Sequence, residues 1–141
     1  MDRDKVLGII ARLETDLGRA AELAQGSREA FLSDNLRVRT AERLIQLSIQ
    51  GLLDISNHLI ACAGFRAPVS HGDSFEVLVE NEILPEDFLP SLRQLAQYRN
   101  RLVHLYWDIE PETMYDDILR NRLEEFDRFV QCVLDYMDRE E

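Results

Sequence analysis

The stretch Tyr98-Arg-Asn-Arg-Leu-Val-His-Leu-Tyr106 holds the residues of this chain best suited to chemistry. An arginine keeps its charge at any ordinary pH, and its planar donor fork fits a phosphate. A histidine gives or takes a proton near neutrality. Arg99 and His104 together supply what metal-free cleavage of an RNA phosphodiester requires. One is a cation for the phosphate and the other a proton carrier for the 2′-hydroxyl or the leaving oxygen.

Helical spacing arranges these residues in two columns. At about 100° per residue, Leu92, Leu95, Ala96, Arg99, Leu102, Val103 and Tyr106 share a stripe. A charge amid apolar neighbours is costly unless paired. Either a buried carboxylate, such as Asp54 on the preceding long helix, or a phosphate would meet Arg99. Arg93, Gln97, Asn100 and His104 form the adjacent column, an ordinary solvated face or a row of phosphate-binding and proton-handling groups. On an ideal helix Arg99 and His104 stand about 140° apart, yet the long arginine side chain lets both tips reach one phosphate.

Other groups read more weakly. Asp54 and His58 are four residues apart on a helix, with Asn57 between them. That spacing can ligate a metal, with His104 as a third ligand. No cysteine- or histidine-rich spacing supports it, so no metal and no cofactor are expected. His71 lies in a loop beside Gly72 with no partner in sequence and reads as an exposed residue. Tyr106 and Trp107 close the helix either as packing anchors or as surfaces for stacking bases.

The elements that position these groups are helical, and no strand-like alternation persists. A first helix is expected from about Asp2 to Gln25, its stripe made of Val6, Ile9, Ile10, Leu13, Leu17, Ala20, Ala21 and Ala24. Gly26-Ser27 breaks it, and Ser33 is a candidate N-cap. A second helix runs from about Asp34 to Ala63, ending at Gly64. Apolar residues cover most of its circumference, which suits a central position in a bundle or a face shared between subunits. A loop at 65–73 leads to a short helix at 74–81. A third long helix begins near Pro85 and reaches Tyr106, with a kink or fresh start at Pro90. Pro111 opens the last helix, which continues to about Met137.

Composition sets the bounds. The 141 residues fit one domain, 1–141, and 45% hydrophobic content supplies a core. No run of about 20 apolar residues exists, so no membrane contact is expected. The charged N-terminus lacks the apolar centre of a signal peptide. Cys62 and Cys132 sit in apolar helical stretches and read as reduced core thiols of a cytoplasmic protein. The net charge of −11 argues against a generic nucleic-acid binder. It leaves room for a nuclease that holds one or two phosphates. Arg93, Arg99 and Arg101 precede His104 in an acid-free stretch, while acids crowd 108–117 and 124–141. A local positive cleft on an acidic body is therefore expected, the acids serving solubility or a basic partner.

The pattern Arg99-Asn100-x-x-x-His104-x-Tyr106 resembles the signature of the HEPN superfamily, and within it the HepT-type toxins. Ala41-Glu-Arg-Leu-Ile-Gln46 and Leu53-Asp-Ile-Ser-Asn-His-Leu-Ile60 are similar to the same family. The likeness spans nearly the whole chain. It implies an all-α, antiparallel four- to five-helix bundle acting as a homodimer, with the cleft at or near the two-fold interface. It implies a ribonuclease toxin of a type VII-like toxin–antitoxin pair. Arg99 and His104 are then the catalytic pair, Asn100 and Asp54 support them, and Arg93 and Arg101 contact RNA phosphate. The implied partner is a minimal nucleotidyltransferase antitoxin that silences the toxin by attaching AMP to Tyr106. The rival class is a non-catalytic helical subunit that only presents a substrate to such a nucleotidyltransferase.

Overall fold

The computed structural model describes residues 2–104 and 110–140. Among these residues every regular element is helical, as the 3.6-residue periodicity predicts. Helix α1 spans Arg3–Leu23, α2 Arg28–Leu32, α3 Asn35–Ala63 and α4 His71–Glu80. A 3-10 turn, Glu86–Phe88, leads into α5, Leu89–His104. Pro111 then opens α6, Pro111–Thr113, and the chain passes through a π-helical segment, Met114–Arg122, into α7, Leu123–Arg139.

Cross-element bonds show which neighbours run antiparallel. Asp2 meets His58, and Gly51 faces Ile9 and Leu13, so α1 and α3 oppose each other. His71 meets Asn100 while Glu76 meets Arg93, so α4 and α5 do the same. Arg122 bonds the Ser91 carbonyl and Arg128 reaches Asp87, placing the last helix against α5 in opposite sense.

Helix α3 lies at the centre and touches α1, α2, α4, α5 and α7. Ile45, Ile49, Leu52, Leu53 and Ile55 are wholly buried along it. Its buried Ser48 and Ser56 hydroxyls donate to the carbonyls of Leu44 and Leu52, which removes the penalty of unpaired polar groups in a core. Gly64 ends the helix with φ 72°, a left-handed conformation that favours glycine, and Phe65 N–H donates to the Ile60 carbonyl. Phe75 of α4 and Phe129 of α7 pack edge to face, 5.9 Å between ring centres, and tie the two sides of the core together.

Several expectations are corrected. Ser33 ends α2, and Asp34 is the N-cap of α3, its carboxylate accepting from Arg37 N–H at 3.1 Å. Ala21 is exposed, one step off the buried register set by Leu13, Leu17, Ala20 and Ala24. Cys62 is not a core thiol: residues 61–64 are all exposed, and Cys62 lines an open groove with Arg3 of α1 and Tyr136 of α7. The short helix starts at His71 rather than Ser74, since Ser70 caps it. Pro90 falls inside the first turn of α5, where no intrahelical N–H bond is lost, so the helix starts afresh there.

Candidate active site

The site is built where the start of α4 meets the last turns of α5. Ser70 Oγ accepts from Asp73 N–H at 3.1 Å and starts α4. Asp73 is buried, and its carboxylate accepts from Val69 N–H at 2.9 Å and from both Arg66 η-nitrogens at 2.8 Å. The Arg66 hydrogen bonds hold the Asp73 carboxyl well below the ordinary carboxylate range. The same guanidinium bonds Glu80 from Nε, so one arginine spans α4 from its first turn to its last. Ser74 Oγ donates to Asn57 Oδ1 at 2.8 Å and fixes α4 to α3. His71, the first residue of the helix, is thereby held in place.

Helix α5 buries Leu92, Leu95, Ala96, Tyr98 and Leu102. Tyr98 was not expected in that set. Its hydroxyl is buried with no hydrogen-bond partner among the described residues, and burial pushes its pKa upward. Arg99 is half-buried at the edge of this face. Its Nη1 donates to Asn100 Oδ1 at 3.1 Å, while its Nε is buried with no hydrogen-bond partner among the described residues. Val103, expected on the apolar stripe, and His104 are both exposed in the last turn.

Asn100 Oδ1 lies 3.2 Å from His71 Nδ1, so Arg99, Asn100 and His71 form one hydrogen-bonded row across α5 and α4. A cleft of about 450 Å³ opens beside it, lined by Ser70, His71, Gly72, Arg93, Gln97 and Asn100. Three members of the predicted polar column, Arg93, Gln97 and Asn100, face this cleft. The fourth, His104, stands one turn beyond Asn100 at the exposed end of α5. Arg93 reaches Glu76 at 2.8 Å, so part of the expected positive charge is balanced by a carboxylate in the same cleft. Arg101 is exposed on the last turn of α5.

The structure does not bring Asp54 to this row. Asp54 is exposed, accepts from Gln50 Nε2 at 2.8 Å, and lines a separate groove with Lys5 and Arg12 of α1. The helical register turns it toward α1 and away from α5, so it is not the carboxylate that meets Arg99. His58 Nε2 accepts from Asp2 N–H at 3.3 Å and lies 3.6 Å from Cys62 Sγ. Among the described residues no three of His, Cys, Asp and Glu converge as a metal-binding group. Tyr106 and Trp107 lie outside the described residues.

Sequence reasoning missed His71 as a partner of this row. Its signal was Ser70-x-x-Asp73, a helix-capping pattern that places His71 in a first turn. The contact with Asn100, 29 residues away, exists only in three dimensions.

Comparison with known proteins bears on the family and the fold. A family described as ribonuclease HepT-like matches residues 13–133. The chain is 25% identical over 130 residues to the mRNA nuclease HepT of Shewanella oneidensis, covering 92% of this chain and 96% of that one. It is 27% identical over 111 residues to the tRNA nuclease HepT of Aphanizomenon flos-aquae, covering 79% and 75%. A crystal structure of a toxin–antitoxin pair with AMP-PNP superposes with a TM-score of 0.86 at 21% identity, covering 93% of this chain and 98% of that chain. A tri-AMPylated Shewanella oneidensis HEPN toxin in complex with its MNT antitoxin gives 0.85 at 22%, covering 93% and 97%. These structural likenesses show the same helical fold.

Proposed function

The chain belongs to the ribonuclease HepT-like family, and on that premise we propose that it is the toxin of a toxin–antitoxin pair, cleaving RNA with Arg99, Asn100 and His104 at the C-terminal end of α5. The observation that carries this reading is the state of Arg99. Its guanidinium is half-buried and held at Nη1 by Asn100, and its buried Nε donor has no acceptor among the described residues. A phosphate oxygen would satisfy it. Charge builds on the phosphorane as the 2′-oxygen attacks, and a cation held in advance stabilises that charge more than the ground state. His104 moves a proton, either from the 2′-hydroxyl or to the 5′-oxygen leaving group. The product would be a 2′,3′-cyclic phosphate, formed without a metal. Arg93 and Arg101 would hold flanking phosphates, Arg93 by leaving Glu76.

The test is cleavage of single-stranded RNA by purified protein in the presence of chelator. His104→Ala should lose about 10²- to 10⁴-fold in rate while helicity is unchanged. Equal rates for wild type and variant would remove the catalytic assignment and favour a non-catalytic, substrate-presenting subunit.

The same reading gives the chain a nucleotidyltransferase partner and a homodimeric state. Solved relatives of this fold are named as complexes with an MNT antitoxin, one of them AMPylated. Tyr106, two residues past His104, is the residue we assign as the AMP acceptor. AMP there would add negative charge beside the cleft and repel RNA phosphate. Co-expression with the partner should raise the intact mass by whole AMP units, and Tyr106→Phe should remain unmodified.

A further inference from the structure

We propose that His71 is a second proton-transfer residue of this site, the base that takes the 2′-hydroxyl proton, leaving His104 to protonate the departing 5′-oxygen. The inference rests on the cleavage reading above and assigns its acid and base.

Hydrogen-bond chemistry selects the tautomer of neutral His71. A guanidinium has donors only, so the Asn100 atom that meets Arg99 Nη1 at 3.1 Å must be the carbonyl oxygen. That same oxygen faces His71 Nδ1 at 3.2 Å. Nδ1 must therefore carry the hydrogen and donate. In the neutral imidazole the lone pair is then on Nε2. Among the described residues Nε2 has no hydrogen-bond partner, and His71 is exposed at the rim of the cleft. An imidazole held by one nitrogen, with the other basic and open to solvent, is a general base in position.

The surroundings suit a phosphodiester. His71 and Gly72 are the first two residues of α4, whose leading N–H groups have no intrahelical acceptors, and Gly72 adds no side chain to the cleft. Asn100 and His104 are four apart on α5, about 6 Å between Cβ atoms. One imidazole thus meets Asn100 from α4, and the other lies a turn beyond Asn100 along α5. In-line displacement at phosphorus needs base and acid on opposite sides of the reacting group.

The step balances. The O2′–H proton passes to His71 Nε2, and the O2′–P bond forms. The P–O5′ bond breaks, and O5′ takes a proton from protonated His104. The products are a 2′,3′-cyclic phosphate and a 5′-hydroxyl. Solvent returns both histidines to their starting forms.

The experiment uses the full chain and two RNA substrates, one ordinary and one with sulfur in place of the bridging 5′-oxygen. A thiolate leaves without an acid. His71→Ala and His71→Asn should each lose about 10²- to 10⁴-fold on both substrates. The asparagine can still donate to Asn100, so it separates proton transfer from positioning. His104→Ala should lose a similar factor on ordinary RNA and recover on the sulfur substrate. Circular dichroism and RNA binding confirm that each variant is folded. Wild-type rates in His71→Ala, restoration by His71→Asn, or rescue of His71→Ala by sulfur would each overturn the assignment. An active wild type with those results leaves the cleavage reading standing. A wild type inactive on ordinary RNA removes that reading and the base assignment with it.

Discussion

One oxygen, Asn100 Oδ1, sits between the arginine of α5 and the histidine of α4. It is the only acceptor the described structure gives to either group at that point, so both orientations depend on it. Asn100→Leu keeps the side-chain volume and removes the acceptor. We expect a drop of about 10-fold or more in kcat/KM, equivalent to about 1.4 kcal/mol in the barrier. Stability should change by less than about 1 kcal/mol, because Arg99 Nη1 can turn to water. Steady-state kinetics and urea unfolding measure the two effects. At this scale Arg99, Asn100 and His104 were legible in the sequence because six consecutive positions on one helix hold them all. His71 was not, since no local spacing relates residue 71 to residue 100.

The start of α4 decides where His71 stands. Ser70→Ala should cost about 1 kcal/mol through the lost cap and lower the cleavage rate as the first turn frays, read from the urea midpoint and the assay. Asp73 adds an acid-sensitive hold. Arg66 keeps its folded pKa below the unfolded value of about 3.9. Its contribution is therefore complete above that value and is lost as pH falls through the lower folded one. Melting followed from neutral pH to below about 4 should show a steeper decline for wild type than for Asp73→Asn. The helices themselves were readable from apolar spacing, α3 and α7 above all. The start of α4 was misread because Gly72 suggested a loop and outweighed the Ser70-x-x-Asp73 cap. The π-helical segment gave no sequence signal. Its wider turn is joined by Asn121 Nδ2 bonding the Asp116 carbonyl at 2.7 Å, and tertiary packing rather than composition selects such turns.

The whole molecule is an acidic body with arginines spread over its helices, of which Arg93 lines the cleft and Arg99 bonds Asn100 beside it. Composition revealed the acidity, and the run from Arg93 to His104 revealed an acid-free stretch on one helix. The pairing of Arg93 with Glu76 was hidden, because the two residues meet only when α4 docks on α5. We expect the folded chain to sediment as a dimer at micromolar concentration; a 16.4 kDa species there would refute this. The Arg93–Glu76 contact also gives the protein an unusual response to ionic strength. At about 0.01 M salt the screening length is about 30 Å, so RNA feels the whole anionic surface and is held off. Near 0.15 M the length shrinks to about 8 Å, the repulsion is confined to the surface, and the Glu76 contact loosens its hold on Arg93. Further salt then weakens the few arginine–phosphate contacts, with a slope of about −0.7 per phosphate in log–log form. Cleavage efficiency should therefore pass through a maximum as salt rises. A monotonic fall from the lowest salt would mean that the arginine face, not the acidic body, governs the approach of RNA.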